Sequence, residues 1–123
     1  MILDTAAVLA VIQREPGWER LLRLLEQAEV VLISAGTLQE LLVVAHSRDV
    51  LGAVEAFLQL LDPDVVPVDA ELARRAVAVF QRFGKGQGHP AQLNFGDCFA
   101  AALADREQLP LAFTGNDFSA AGF

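Results

Sequence analysis

Residues 1–10, MILDTAAVLA, place a carboxylate between two stretches that belong in a protein interior. Met1, Ile2 and Leu3 have the character of a short buried strand. Ala6, Ala7, Val8, Leu9 and Ala10 continue as the apolar body of a helix reaching about Gln13. Between them stands Asp4. Burying an ionised acid is costly unless something compensates it. Either Asp4 caps the helix that follows it, or other groups in the chain gather around it.

Outward from this strand–helix unit the same alternation continues. Pro16 suits the first turn of a helix that carries Trp18, Leu21, Leu22, Leu25 and Ala28 at helical spacing. VVLIS (30–34) is β-branched and uncharged, a second buried strand; Ser34 then caps a helix to about His46, and Asp49 opens another through Leu61. DVVPV (64–68) is a third strand, with Asp69 as the next cap. The stripe Leu72, Ala76, Phe80 and Phe83 follows, and Gly84 ends that helix. Residues 84–95 form a polar, glycine-rich surface loop, and Asn94 or Gly96 begins a helix to about Glu107. LPLAF (109–113) is a fourth strand, out of which the tail TGNDFSAAGF turns. Strands alternating with helices predict a parallel α/β sheet covered on both faces. In open sheets of this kind ligands bind beyond the carboxyl ends of the strands.

The 123 residues, 54% of them apolar, fit a single domain over 1–123 with one packed core. No apolar run approaches the roughly 20 residues that cross a bilayer, and no basic segment of the signal-peptide kind precedes Asp4. Cys98 is the sole cysteine, which excludes an internal disulfide and fits a reducing cytoplasm. Nine basic against sixteen acidic residues give a net charge of −7. On its face that argues against a nucleic-acid binder, but acids gathered around a cation would be neutralised by it. Arg74, Arg75, Arg82 and Lys85 also fall close together in the chain.

Four acids do not behave as surface acids. Asp4 ends the first strand, and Asp117 follows the fourth. Glu40 has Gly36, Thr37, Val43 and Val44 as helical neighbours, a small and apolar face that draws it toward the sheet edge. Asp97 lies in a first helical turn with Ala100, Ala101 and Ala104 on its side. Taken singly, each has a structural role: Asp4 an N-cap, Asp97 a first-turn acid favoured by the helix dipole, Glu40 a boundary residue, Asp117 a turn residue. Gathered at one sheet edge, they would repel one another unless they bind cations or keep protons. Oxygen-only ligands select a hard ion such as Mg²⁺ or Mn²⁺; His46, His89 and Cys98 show no zinc spacing. Such a site serves phosphate chemistry, as a metal-dependent phosphodiesterase or phosphatase.

ILDTAAVLA at the start, ISAGTLQELLVV around Glu40, RFGKGQGHPAQLNFGDCFAAALA through Asp97 and LAFTGNDFS at the end together resemble a PIN domain, and within it the VapC group of bacterial toxin ribonucleases. The likeness spans nearly the whole chain, with LNFGDCFAAALA and GNDF its most specific parts. It implies a PIN-like α/β/α sandwich with a small parallel sheet of four or five strands. It implies an endoribonuclease that acts as a toxin, with acids converging on one or two Mg²⁺ or Mn²⁺ ions. By position Asp4 and Asp97 would be direct ligands, with Glu40 and Asp117 completing the shell or holding the attacking water. A cognate VapB-type antitoxin occupying the active-site groove, a homodimer and a structured RNA substrate are further implications. Ala6 stands where similar toxins carry a serine, leaving Thr5 as the only nearby hydroxyl, and Asn116 stands where relatives often have another acid.

GKGQG (84–88) lacks the phosphate-loop pattern; Lys85 and His89 in this loop, with Arg82 before it, are candidates to touch an RNA backbone. Cys98 reads as a small buried hydrophobe, and Trp18 as core or interface. Two other functional classes fit parts of the pattern. One is a phosphatase with Asp4 as nucleophile, although Ala6 occupies the position of its usual second acid. The other is a PIN scaffold that has lost catalysis and binds a partner.

Overall fold

The computed structural model describes residues 1–114 and 117–123, without the side chains of 117 and 118. Asn116 therefore lies outside the described residues, and so does the Asp117 side chain.

Four short strands, β1 (Ile2–Leu3), β2 (Leu32–Ser34), β3 (Asp64–Val66) and β4 (Leu111–Ala112), form one sheet in the order β3-β2-β1-β4. Every pairing is parallel: Ile2 sits between Leu32 and Leu111, and Leu32 opposite Asp64. The helices are α1 (Thr5–Ile12), α2 (Trp18–Gln27), α3 (Ala35–Ser47), α4 (Leu51–Leu61), α5 (Ala70–Phe83) and α6 (Phe95–Glu107), with a short α7 (Asp117–Ala120). None of the described helices is long and apolar enough to cross a membrane.

Because side chains alternate across a strand, successive residues feed two cores. Ile2, Leu32, Val66 and Leu111 pack with Leu72, Val79 and Phe83 of α5 and with Ala100, Ala101 and Leu103 of α6. Leu3, Ile33 and Ala112 pack on the opposite face with Val8, Leu21, Leu25, Leu41 and Val54 from α1 to α4. This is the three-layer α/β/α arrangement expected, with four strands. Asp4 keeps extended backbone (φ −110°, ψ 154°), so the alternation returns its side chain to the face of Ile2, which α6 covers. The chain steps from β1 to β2 to β3 in one direction and then places β4 back on the other side of β1. The reversal puts the switch point of the sheet at the carboxyl end of β1, where open α/β sheets bind their ligands.

Several local expectations are corrected by helix-end geometry. Asp49 does not open α4. It lies in the left-handed region (φ 59°) and closes α3: its N–H donates to His46 O and the Val50 N–H to Ala45 O, a Schellman ending. The N-cap of α4 is Val50, which provides no side-chain bond. Pro16 precedes its helix instead of entering it. Trp18 N–H donates to Glu15 O across Pro16 and Gly17 (φ 90°, ψ 0°), a type II turn that needs glycine at its third position. Gly84 does end α5, but in extended conformation (φ −69°, ψ 158°). A Cβ there would overlap the Phe80 ring, so the requirement is space, not a left-handed backbone. The loop after it is tied at both ends: Lys85 N–H donates to Leu93 O and Leu93 N–H to Phe83 O, and Ala91 and Leu93 are buried.

Candidate active site

An open cleft of about 210 Å³ lies at the carboxyl end of β1, walled by Asp4, Thr5, Ala6 and Leu9 from one side, Glu40 and Val44 of α3 from another, and Asn94 and Asp97 at the start of α6. The fold thus brings together Asp4, Glu40 and Asp97, which are widely separated in the chain.

Asp4 is only 2% exposed. Its Oδ2 accepts from the Ala6 N–H at 3.2 Å, so it does cap α1. Its Oδ1 is buried and finds no donor among the described residues. Burial raises the Asp4 carboxyl from 3.8 to about 7; Asp97 adds to the rise, the Ala6 amide opposes it, and Glu40 raises it further. Capping and site membership are therefore both true of Asp4, one for each oxygen.

Glu40, partly buried, is held from two sides. The Thr5 hydroxyl donates to its Oε1 at 2.7 Å, and its carboxylate lies so close to Gly96 that a Cβ there would overlap it. Four residues earlier on α3, Gly36 receives the Phe99 ring in the same way; a Cβ would come within 2.6 Å of Cδ1. Two glycines, one on each helix, thus set the approach of α3 to α6. Buried Ala100, Ala101, Ala102 and Ala104 let α6 lie close to the sheet behind them.

Asp97 is fixed by a reciprocal capping box: the Asn94 side chain accepts from Asp97 N–H at 2.8 Å, and Asp97 Oδ2 accepts from Asn94 N–H at 2.9 Å. Among the described residues no three acid, imidazole or thiol groups form a complete metal-binding set; Asp4, Glu40 and Asp97 instead present separate oxygens to one cleft. These donors fit a hard divalent cation, which prefers oxygen ligands. The buried Oδ1 without a donor is the kind of atom such an ion satisfies.

Arg82, Lys85 and His89 are not among the cleft walls. Arg82 stacks over the Phe83 ring at 4.8 Å, and His89 meets the same ring edge-on at 4.9 Å while its Nδ1 accepts from Ala91 N–H. Arg75 pairs with Glu71 and Asp105. Cys98 is buried and donates to Asn94 O, and burial pushes its thiol up to about 11, as suits an inert core residue. Trp18 is half-buried under the Arg14 guanidinium.

Glu15 and Arg48, both on the rim of the cleft, were not anticipated, nor was the role of Gly96. The signal for Arg48 was its spacing, since Glu40, Val44 and Arg48 recur every four residues along α3.

The chain belongs to the PIN domain family, whose model matches residues 1–123. Ribonuclease VapC42 of Mycobacterium tuberculosis is 37% identical over 122 residues, covering 97% of this chain and 93% of that protein. Ribonuclease VapC28 of the same organism is 38% identical over 125 residues, covering 99% and 94%. A VapC ribonuclease of Rhizobium meliloti is 34% identical over 134 residues, covering 95% and 94%. Within the PIN domains, the chain is thus a member of the VapC ribonucleases. In fold it is similar to Mycobacterium tuberculosis VapC20, described as a sarcin-ricin loop cleaving toxin (TM-score 0.77, 22% identity, 99% and 95% covered). It is also similar to a chain of a toxin–antitoxin complex from Klebsiella pneumoniae (TM-score 0.71, 19% identity, 96% and 89% covered).

Proposed function

We propose that residues 1–123 form one PIN domain acting as a Mg²⁺- or Mn²⁺-dependent endoribonuclease, the toxin of a toxin–antitoxin pair. The observation that carries the metal dependence is Asp4 Oδ1, buried at the sheet's switch point without a donor among the described residues and flanked by Asp97 and Glu40. Asp4 and Asp97 would hold the ion, with Glu40 and Asp117 completing the site and Asn116 supporting it. A bound divalent cation supplies Lewis acidity toward the phosphodiester, water activation and neutralisation of the leaving oxygen.

The protein's own residues prepare for this chemistry. Capping of α1 fixes the rotamer of Asp4, and the capping box fixes Asp97. Thr5 orients Glu40, whose carboxylate rests on the bare Gly96 backbone; its part would be to hold a water. Arg82, Lys85 and His89 stand apart from the cleft, so RNA reaching them runs on beyond it. A VapB-type antitoxin, a homodimer and a cytoplasmic site of action complete the proposal, supported by membership among the VapC ribonucleases.

Cleavage of RNA with Mg²⁺, with EDTA, and by Asp4→Ala and Asp97→Ala tests the site. Metal-dependent cleavage abolished in both variants is expected; variants that cut as fast as the parent refute it. Ala6, on the cleft wall, favours a second reading, a PIN scaffold of weakened activity. Calorimetry that detects neither Mg²⁺ nor Mn²⁺ binding would select it.

A further inference from the structure

The acid cleft is a trough with a chemically distinct far end. Glu40, Val44 and Arg48 lie four residues apart on α3 and all three line it. At 1.5 Å per residue, Arg48 is about 12 Å along the helix from Glu40. Across the trough run Ala6 and Leu9 of α1, with Glu15 at the far rim. Arg48 is the one cation among these lining residues, in a chain of net charge −7.

Its placement is fixed on both sides. The backbone at Arg48 is the C-cap of α3, locked by the left-handed Asp49 and by the Val50 N–H on Ala45 O. Its Nη1 donates to Gln13 Oε1 at 2.8 Å. Gln13 is itself the C-cap of α1, followed by left-handed Arg14 with Glu15 N–H on Ala10 O. Two Schellman endings thus hold a guanidinium and its tether at the mouth of the trough. The side chain is exposed and bonded on one nitrogen to a neutral amide, so it has further donors for an anion.

We propose that Arg48 is a positioning residue that binds a backbone phosphate of the RNA flanking the one hydrolysed, holding the strand along α3. The inference rests on the ribonuclease proposal above. Arg48 lies about 12 Å along α3 from Glu40 with its guanidinium tied to Gln13, so its assigned part is substrate alignment. It supplies attraction at the end of a cleft whose other charges are acidic.

The test is steady-state cleavage of a short RNA by the full chain in Mg²⁺, comparing parent, Arg48→Gln, Arg48→Lys and the exposed control Arg23→Gln. Arg48→Gln is expected to raise KM about 10-fold with kcat within about two-fold. The dependence of KM on salt should become shallower by about one charge. Arg48→Lys recovers part of the loss, and Arg23→Gln has no effect. Substrates carrying a single neutral methylphosphonate linkage locate the contact: one flanking position should raise KM for the parent and leave Arg48→Gln unaffected.

An unchanged KM in Arg48→Gln, or a loss confined to kcat, overturns the inference. So does equal sensitivity of parent and variant to every neutral linkage. Absence of metal-dependent cleavage by the parent itself overturns the ribonuclease proposal, and this inference with it. Normal parent cleavage with an indifferent Arg48→Gln overturns this inference alone.

Discussion

Replacing Asp4 with Asn removes the charge that the metal-free fold accommodates least well. The Asp4 carboxyl is raised from 3.8 to about 7, by burial first and by Asp97 and Glu40 after the opposing Ala6 amide. At 1.36 kcal/mol per pH unit, that shift of about three units corresponds to an upper bound of about 4 kcal/mol. The sign follows from the direction. The folded state binds the proton more tightly than the unfolded chain, so this contribution is full below the unfolded value. It is lost as pH rises through the folded value. Metal-free parent protein should therefore weaken between about pH 4 and about pH 8 by as much as that amount from this group. Asp4→Asn keeps an N-cap acceptor for Ala6 and should lack the term. In EDTA at about pH 8 it should exceed the parent by about 1–4 kcal/mol, with little difference near pH 4. Urea titrations at the two pH values measure both quantities. Adding Mg²⁺ or Mn²⁺ should then reverse the order, because a cation stabilises only the chain that can bind it. An Asp4→Asn protein that is weaker than the parent in EDTA at both pH values would refute the reasoning.

Three further outcomes follow from the same geometry. Thr5→Val should lower Mn²⁺ affinity about 10- to 100-fold, as loss of a ligand's supporting hydrogen bond does, while Thr5→Ser retains it; calorimetric titration decides. Gly96→Ala should cost about 1–3 kcal/mol of stability through overpacking. It should also depress RNA cleavage while the circular dichroism spectrum stays native, because the Glu40 carboxylate must move. Thr37 is fully buried, and its hydroxyl has no partner among the described residues, so Thr37→Val should raise stability by about 1 kcal/mol in thermal or urea unfolding.

Much of the fold was readable because the signals were local. The alternation of apolar runs with capped helical stretches located all four strands, and Ser34, Asp69 and Asn94 cap the helices the sequence assigned to them. Asp49 misled because an aspartate before an apolar run looks the same whether it opens one helix or closes another. The left-handed backbone that decides between them is set by the bonds of α3. Of the site, Asp4, Glu40 and Asp97 were legible as acids on apolar faces near strand ends. What brings them together was not. Gly96 matters through the space it leaves for a side chain 56 positions earlier, and Arg48 through a partner on α1. The spacing of Arg48 from Glu40 is visible along α3, but its tie to Gln13 and the contact of Gly96 with Glu40 join separate elements and leave no periodic trace.

The strand that Asp4 follows is enclosed by two neighbours drawn from distant parts of the sequence. Ile2 pairs on one side with Leu32, but on the other it must wait for Leu111, and Asp97 arrives only with α6. Pairings so distant in the chain are slow to form. The cleft therefore exists only once α6 has joined α1 and α3. The order of the strands thus ties assembly of the cleft to the pairing of β1 with β4.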